Sequence, residues 1–135
     1  MKWSVLLTLL FTCSHADAQY YYKDIISNKS LLADMKAYRE NKIRKIIINS
    51  FESTGEPSEG FYCEKRISRD YREVSLFTRS AMSGSSLFVS QFNDQGQLTG
   101  TTDSSDIMVS RITYRYDDQG RITHIISQSR SHDDD

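Results

Sequence analysis

At 135 residues, with 17 lysines and arginines against 18 aspartates and glutamates, the chain has room for one modest domain. It lacks the concentrated basic charge by which proteins usually grip nucleic acid or anionic lipid. Two cysteines, Cys13 and Cys63, are too few for a disulfide framework, and six glycines scattered singly leave no phosphate-cradling loop.

The N-terminus reads as an address. A positive charge in Met1-Lys2-Trp3, a short apolar run over Val5–Phe11 and the small-x-small site Ala16-Asp17-Ala18 predict a secretory signal peptide at 1–18. Cleavage after Ala18 exposes Gln19 and sends the protein to the periplasm or beyond. The apolar run is far shorter than the ~20 residues that cross a bilayer as a helix, and no later run is longer. Lipoprotein processing at Cys13 is the alternative, and it would anchor the protein by a lipid. Either way Cys63 is the remaining thiol, expected as a small buried hydrophobe.

Residues 19–41 read as an arm followed by a helix. Tyr20, Tyr21 and Tyr22 open a stretch without clear period. From Ser30 to Glu40, Leu31, Met35 and Tyr38 fall on one stripe, with Ser30 as cap and Asn41 as terminator. Asp34, Lys36 and Arg39 fall on the opposite side.

Residues 42–130 are β-rich. Ile43–Ile48 is β-branched and apolar. Ser53–Gly60 holds the single proline and reads as a loop. Phe61–Ile67 and Arg72–Arg79 follow as strands, the second alternating Val74, Leu76 and Thr78. Ala81–Ser86 reads as a turn around Gly84, and Asp103 and Asp106 as the bounds of another. About seven strands result, joined by short connections, and an antiparallel meander is the economical order. An acidic tail at 131–135, His132 through Asp135 included, is expected to guard the last edge.

The end of the chain repeats itself at an offset of 24 residues: Ser86–Thr101 (SLFVSQFNDQGQLTGT) and Ser110–Ile125 (SRITYRYDDQGRITHI) align without a gap. Such a period marks a stacked supersecondary unit. Asn93 and Asp117 open four-residue turns by accepting hydrogen bonds from their own backbone. Gly96 and Gly120 close them at positive φ, the pattern of a three-residue hairpin connection. Alternation on both sides predicts half-buried strands.

Tyr114 through Thr123, YRYDDQGRIT, resembles the YD repeat of Rhs-type proteins, whose pattern runs roughly Tyr-Asp-x-x-Gly-Arg-Leu/Ile-Thr. The first copy is looser, with Phe92-Asn93 for Tyr-Asp and Gln97 for Arg. The chain is also similar to small exported proteins of Bacteroidetes-like bacteria. The resemblance implies a mainly β protein in which Tyr, Asp and Gly of the motif are structural, and two clear copies are too few for the shells that large Rhs proteins build.

Catalytic patterns are sparse. His15 falls in the leader and His132 in the tail, and His124 has no nucleophile-and-orienter motif beside it. No catalytic residue, cofactor or metal is expected. The reading is a non-enzymatic binding or structural module of the cell envelope, engaging a glycan or an envelope protein. Tyr114, Arg115 and Arg121 are the candidate contacts, taken as exposed. The alternative is a periplasmic carrier or chaperone that cups an apolar ligand on a curved sheet, lined by Phe88, Phe92, Ile112 and Ile126.

Overall fold

The structure, a computed structural model, describes residues 30–131. The leader expected at 1–18, the arm up to residue 29 and the tail from His132 lie outside the described residues. Seven strands, β1 (Lys45–Ile48), β2 (Tyr62–Ile67), β3 (Glu73–Ser80), β4 (Gly84–Phe92), β5 (Leu98–Ser105), β6 (Met108–Tyr116) and β7 (Ile122–Ser131), follow a helical segment over residues 30–40, α1. The chain divides into two units at Asp34/Met35, and the second carries every strand. These form one sheet in the order β1-β2-β3-β4-β5-β6-β7, each antiparallel to its neighbours. The expected meander is therefore present, strand for strand. β7 extends to Ser131, which the sequence assigned to the tail.

Ser30, expected as the helix cap, is itself helical. The far end closes as foreseen at Asn41. There the amide of Ile43 donates to the Tyr38 carbonyl at 2.9 Å and that of Lys42 to Arg39 at 3.3 Å. This is the paired bonding of a Schellman end. It puts Lys42 at φ +55°, a conformation that costs a residue with a Cβ.

Residues paired across neighbouring strands share a face of the sheet, so the register sorts the side chains. One face, the core face, carries Cys63, Ile67, Val74, Phe92, Leu98 and Tyr114, all buried. Leu98 is the deepest at 1% exposure. Cys63 sits here as expected, its sulfur 3.6 Å from Thr78 Oγ1. From α1, Met35 and Tyr38 are buried too, and Lys65 Nζ reaches the Tyr38 hydroxyl at 3.1 Å.

The two repeats fold alike. In each turn the fourth residue's amide bonds the first residue's carbonyl at 2.9 Å, Gly96 to Asn93 and Gly120 to Asp117. The first residue's Oδ1 accepts two amides, from Gln95 and Gln97 in one copy and from Gln119 and Arg121 in the other. Three residues beyond the glycine of each turn comes a feature invisible in the sequence. Pairing jumps from Gln91↔Gly100 to Phe92↔Leu98, and from Arg115↔His124 to Tyr116↔Ile122. Thr99 and Thr123 are thus extra residues, and each hydroxyl donates to the carbonyl across the strand, Gln91 at 3.1 Å and Arg115 at 3.2 Å. Such a bulge changes the parity of everything after it.

The β2–β3 connection is a related turn, one residue longer, that lacks the motif: Ser68 N bonds Glu73 O, five residues on, where the repeats close over four. Tyr71 N bonds Ser68 O at 3.1 Å, and the Ser68 hydroxyl accepts the Arg72 and Glu73 amides at 3.1 and 2.9 Å. Tyr71, at φ +58°, stands where the repeats have glycine. The Arg44 guanidinium lies 3.8 Å from its ring centroid, a cation–π contact that offsets part of the strain. The sheet is therefore β1 followed by three hairpins whose turns share one end. Adjacent turns are linked: Arg72 pairs with Asp94, and the Tyr116 hydroxyl donates to the Leu98 carbonyl at 2.6 Å.

The turn expected between Asp103 and Asp106 is shorter than that. Asp103 to Ser105 remain in β5, and Asp106-Ile107 alone make the connection.

Candidate functional site

The opposite, outer face of the sheet is where side chains with chemistry collect. Two neighbouring rows cross all seven strands. One runs Lys45, Arg66, Ser75, Val89, Thr102, Arg111 and Gln128, each paired with the next. It is mostly hydrogen-bond donors, cationic toward both ends. Beside it lie Ile47, Glu64, Phe77, Leu87, Ser104, Val109 and Arg130. Ile47, Phe77 and Leu87 are exposed although apolar.

Glu64 is the exception on this face, at 4% exposure. It arises from strand alternation, because Tyr62, Glu64 and Arg66 project together from β2. Lys45, facing Arg66 from β1, closes the cage. Its Nζ lies 2.8 Å from Glu64 Oε2, while Arg66 Nε and the Tyr62 hydroxyl donate to the same carboxylate. A buried charge requires such partners. The Lys45 ammonium, then Tyr62 and Arg66, hold the carboxyl down to about 2 from its ordinary 4.5. The same bonding raises the Tyr62 phenol, through its hydrogen bond to Glu64, and the Arg66 guanidinium.

A groove of about 370 Å³ opens here, lined by Tyr62, Glu64, Arg66, Ser75, Phe77 and Leu87. The Tyr62 and Phe77 rings meet in a tilted pair, centroids 6.1 Å apart at 55°. The groove therefore offers an apolar and aromatic wall opposite donors, with its one carboxylate fully committed. A carboxyl ionised so far below neutrality has no proton to donate there and is a weak base. Among the described residues no group of three or more His, Cys, Asp or Glu is placed to hold a metal ion, and no helix is long and apolar enough to cross a membrane.

The three contacts expected from the sequence do not come together. Tyr114, expected at the surface, is only 6% exposed and lies on the core face. It precedes the bulge on a strand whose inward positions are Ile112, Tyr114 and Tyr116. Arg115 is exposed on the outer face, opposite His124. Arg121 sits at the turn, its Nε 2.7 Å from Asp117 Oδ2. The apolar lining proposed for a carrier is divided as well. Phe88, Phe92 and Ile112 belong to the core face, whereas Ile126 pairs with Thr113 on the outer one. The Thr123 bulge is the reason: after it, Ile125 takes the inward position. His124 is exposed, its Nδ1 3.1 Å from Thr123 Oγ1. The sequence reading passed over Tyr62, Glu64 and Arg66. Their spacing of two showed that they share a face, but only the register with Lys45 and Phe77 shows a groove.

Comparison with known proteins agrees with the geometry of the last hairpins. No curated protein and no solved structure matches the chain. Residues 92–129 match the family model of the RHS Repeat, from the first turn through most of β7. Over that stretch the chain is similar to the RHS Repeat family.

Proposed function

We propose that the protein is an exported, non-enzymatic module of the bacterial cell envelope, and that the outer face of its sheet holds a glycan or an envelope protein. The observation that carries this is the groove beside Glu64. There exposed aromatic and aliphatic side chains stand next to a row of arginine, lysine and hydroxyl donors, a pairing that suits sugar rings and protein surfaces. Apolar side chains left on an open sheet face mark a contact surface. Arg115, exposed on the same face, belongs to it; Tyr114 contributes to the core instead. The non-enzymatic reading is supported by the chemistry of the titratable groups. The Glu64 charge is compensated by its cage, Cys63 is buried on the other face, and the His124 ring nitrogen is engaged with the Thr123 hydroxyl, with Arg115 across the strand.

Retention assays test the binding face. The protein is expected to retain specific partners from a glycan array or an envelope extract, and Phe77→Ser and Arg111→Gln to lose them. No specific retention in either assay overturns the reading. Turnover of esters, peptides or glycosides that disappears in His124→Ala would overturn its non-enzymatic part. Export is tested by the mass of the mature N-terminus: pyroglutamate from Gln19 is expected, an acylated Cys13 would mean anchoring, and an uncleaved Met1 would refute export.

A further inference from the structure

We infer that the outer edge of β7 is a self-association site, joining two copies of this chain into one continuous antiparallel sheet about a two-fold axis at Ile126. The three hairpins supply the first argument. β3 and β5 stand where β7 stands in its hairpin, and each has its outer side taken by the strand that follows, β4 and β6. Thr101 and Asp103 pair outward with Ile112 and Ser110. Ile125 and Ser127, 24 residues further on, hold the same positions on β7. Among the described residues no strand lies beyond them.

The second argument is the absence of protection along Ile122–Ser129. Exposed edges are usually blunted by proline, lysine, inward charge or a bulge near the middle. Here the sequence is Ile-Thr-His-Ile-Ile-Ser-Gln-Ser. Its one bulge, at Thr123, lies next to the turn.

The third argument selects the occupant and the register. A strand pairing with its own copy is self-complementary only if the axis passes through a symmetric position. Centring on Ile126, which is 37% exposed, sets it against Ile126 of the second copy, a favourable apolar cross-strand pair. Ile125 then faces Ser127 of the second copy, and His124 faces Gln128, so no like charges oppose each other. Shifting the axis to Ser127 would set His124 against Arg130. The other edge strand, β1, has only four residues to offer a copy of itself, and pairing it with β7 of a second copy would give head-to-tail chains rather than a closed pair.

Sedimentation of the full chain at high micromolar concentration is expected to show a dimer. Ile126→Lys, which brings two ammonium groups to the axis, is expected to be monomeric with an unchanged circular dichroism spectrum. Ile126→Cys gives a readout independent of that variant's folding: it is expected to form a disulfide-linked dimer under mild oxidation that the parent chain does not form. A monomeric parent, a dimer indifferent to Ile126→Lys, open-ended polymers, or no cross-link through Cys at 126 would each overturn the inference.

Discussion

Gly96 and Gly120 occupy equivalent turn positions at φ +78° and +76°, yet they are not equally replaceable. A Cβ on Gly96 meets nothing within 4 Å, whereas one on Gly120 comes 3.0 Å from Gln97 Nε2 of the neighbouring turn. Gly96→Ala is therefore expected to cost about 1–2 kcal/mol from backbone strain alone, and Gly120→Ala more, as read from urea unfolding of each variant. Lys42 presents the reverse case. It holds φ +55° at the end of α1, where glycine is the favoured residue, so Lys42→Gly is expected to stabilise the protein by about 0.5–1 kcal/mol. A rise in the unfolding midpoint checks it.

At the scale of the element, each residue of the repeat acquires a job. Asp117 and Asn93 collect turn amides, glycine supplies the positive φ, and threonine bonds across its bulge. Arg121 donates to Asp117, while in the looser copy the polarity inverts and the Asn93 amide donates to Gln97 Oε1 at 2.8 Å. The tyrosine fastens one hairpin to the one before it, a role Phe92 cannot play. Tyr116→Phe is expected to cost about 0.5–1.5 kcal/mol, the net worth of one part-buried hydrogen bond, and calorimetry of the variant measures it.

Seven strands, their order and two turns were legible because period-2 alternation and Asx-x-x-Gly chemistry are local properties. The β2–β3 turn was not, because Ser68 and Tyr71 reach a related geometry without glycine, with Arg44 stacked on the ring. The bulges were hidden for another reason: threonine is an ordinary strand residue, and its extra position appears only in the register. That one hidden residue misplaced Ile126. The groove was missed because it depends on which strand lies beside β2, and no spacing within Tyr62–Arg66 reports that.

Across the whole molecule, the cage around Glu64 couples β1 to β2 through charge. Its carboxyl is held below the value it has in the unfolded chain, so its contribution to stability is complete above about pH 4.5 and drains away as pH falls toward 2. Acid titration of the folding equilibrium is expected to show this loss, and Glu64→Gln to flatten it over the same window. Every β-pairing is likewise made between neighbours in sequence, from β1·β2 to β6·β7. The chain can therefore assemble progressively, its longest closure the connection over residues 49–61 between β1 and β2, without waiting for distant segments to meet. Amide exchange should accordingly be graded across the strands of the monomer, fastest in the edge strands β1 and β7 and slowest toward the middle, where each ribbon is held from both sides.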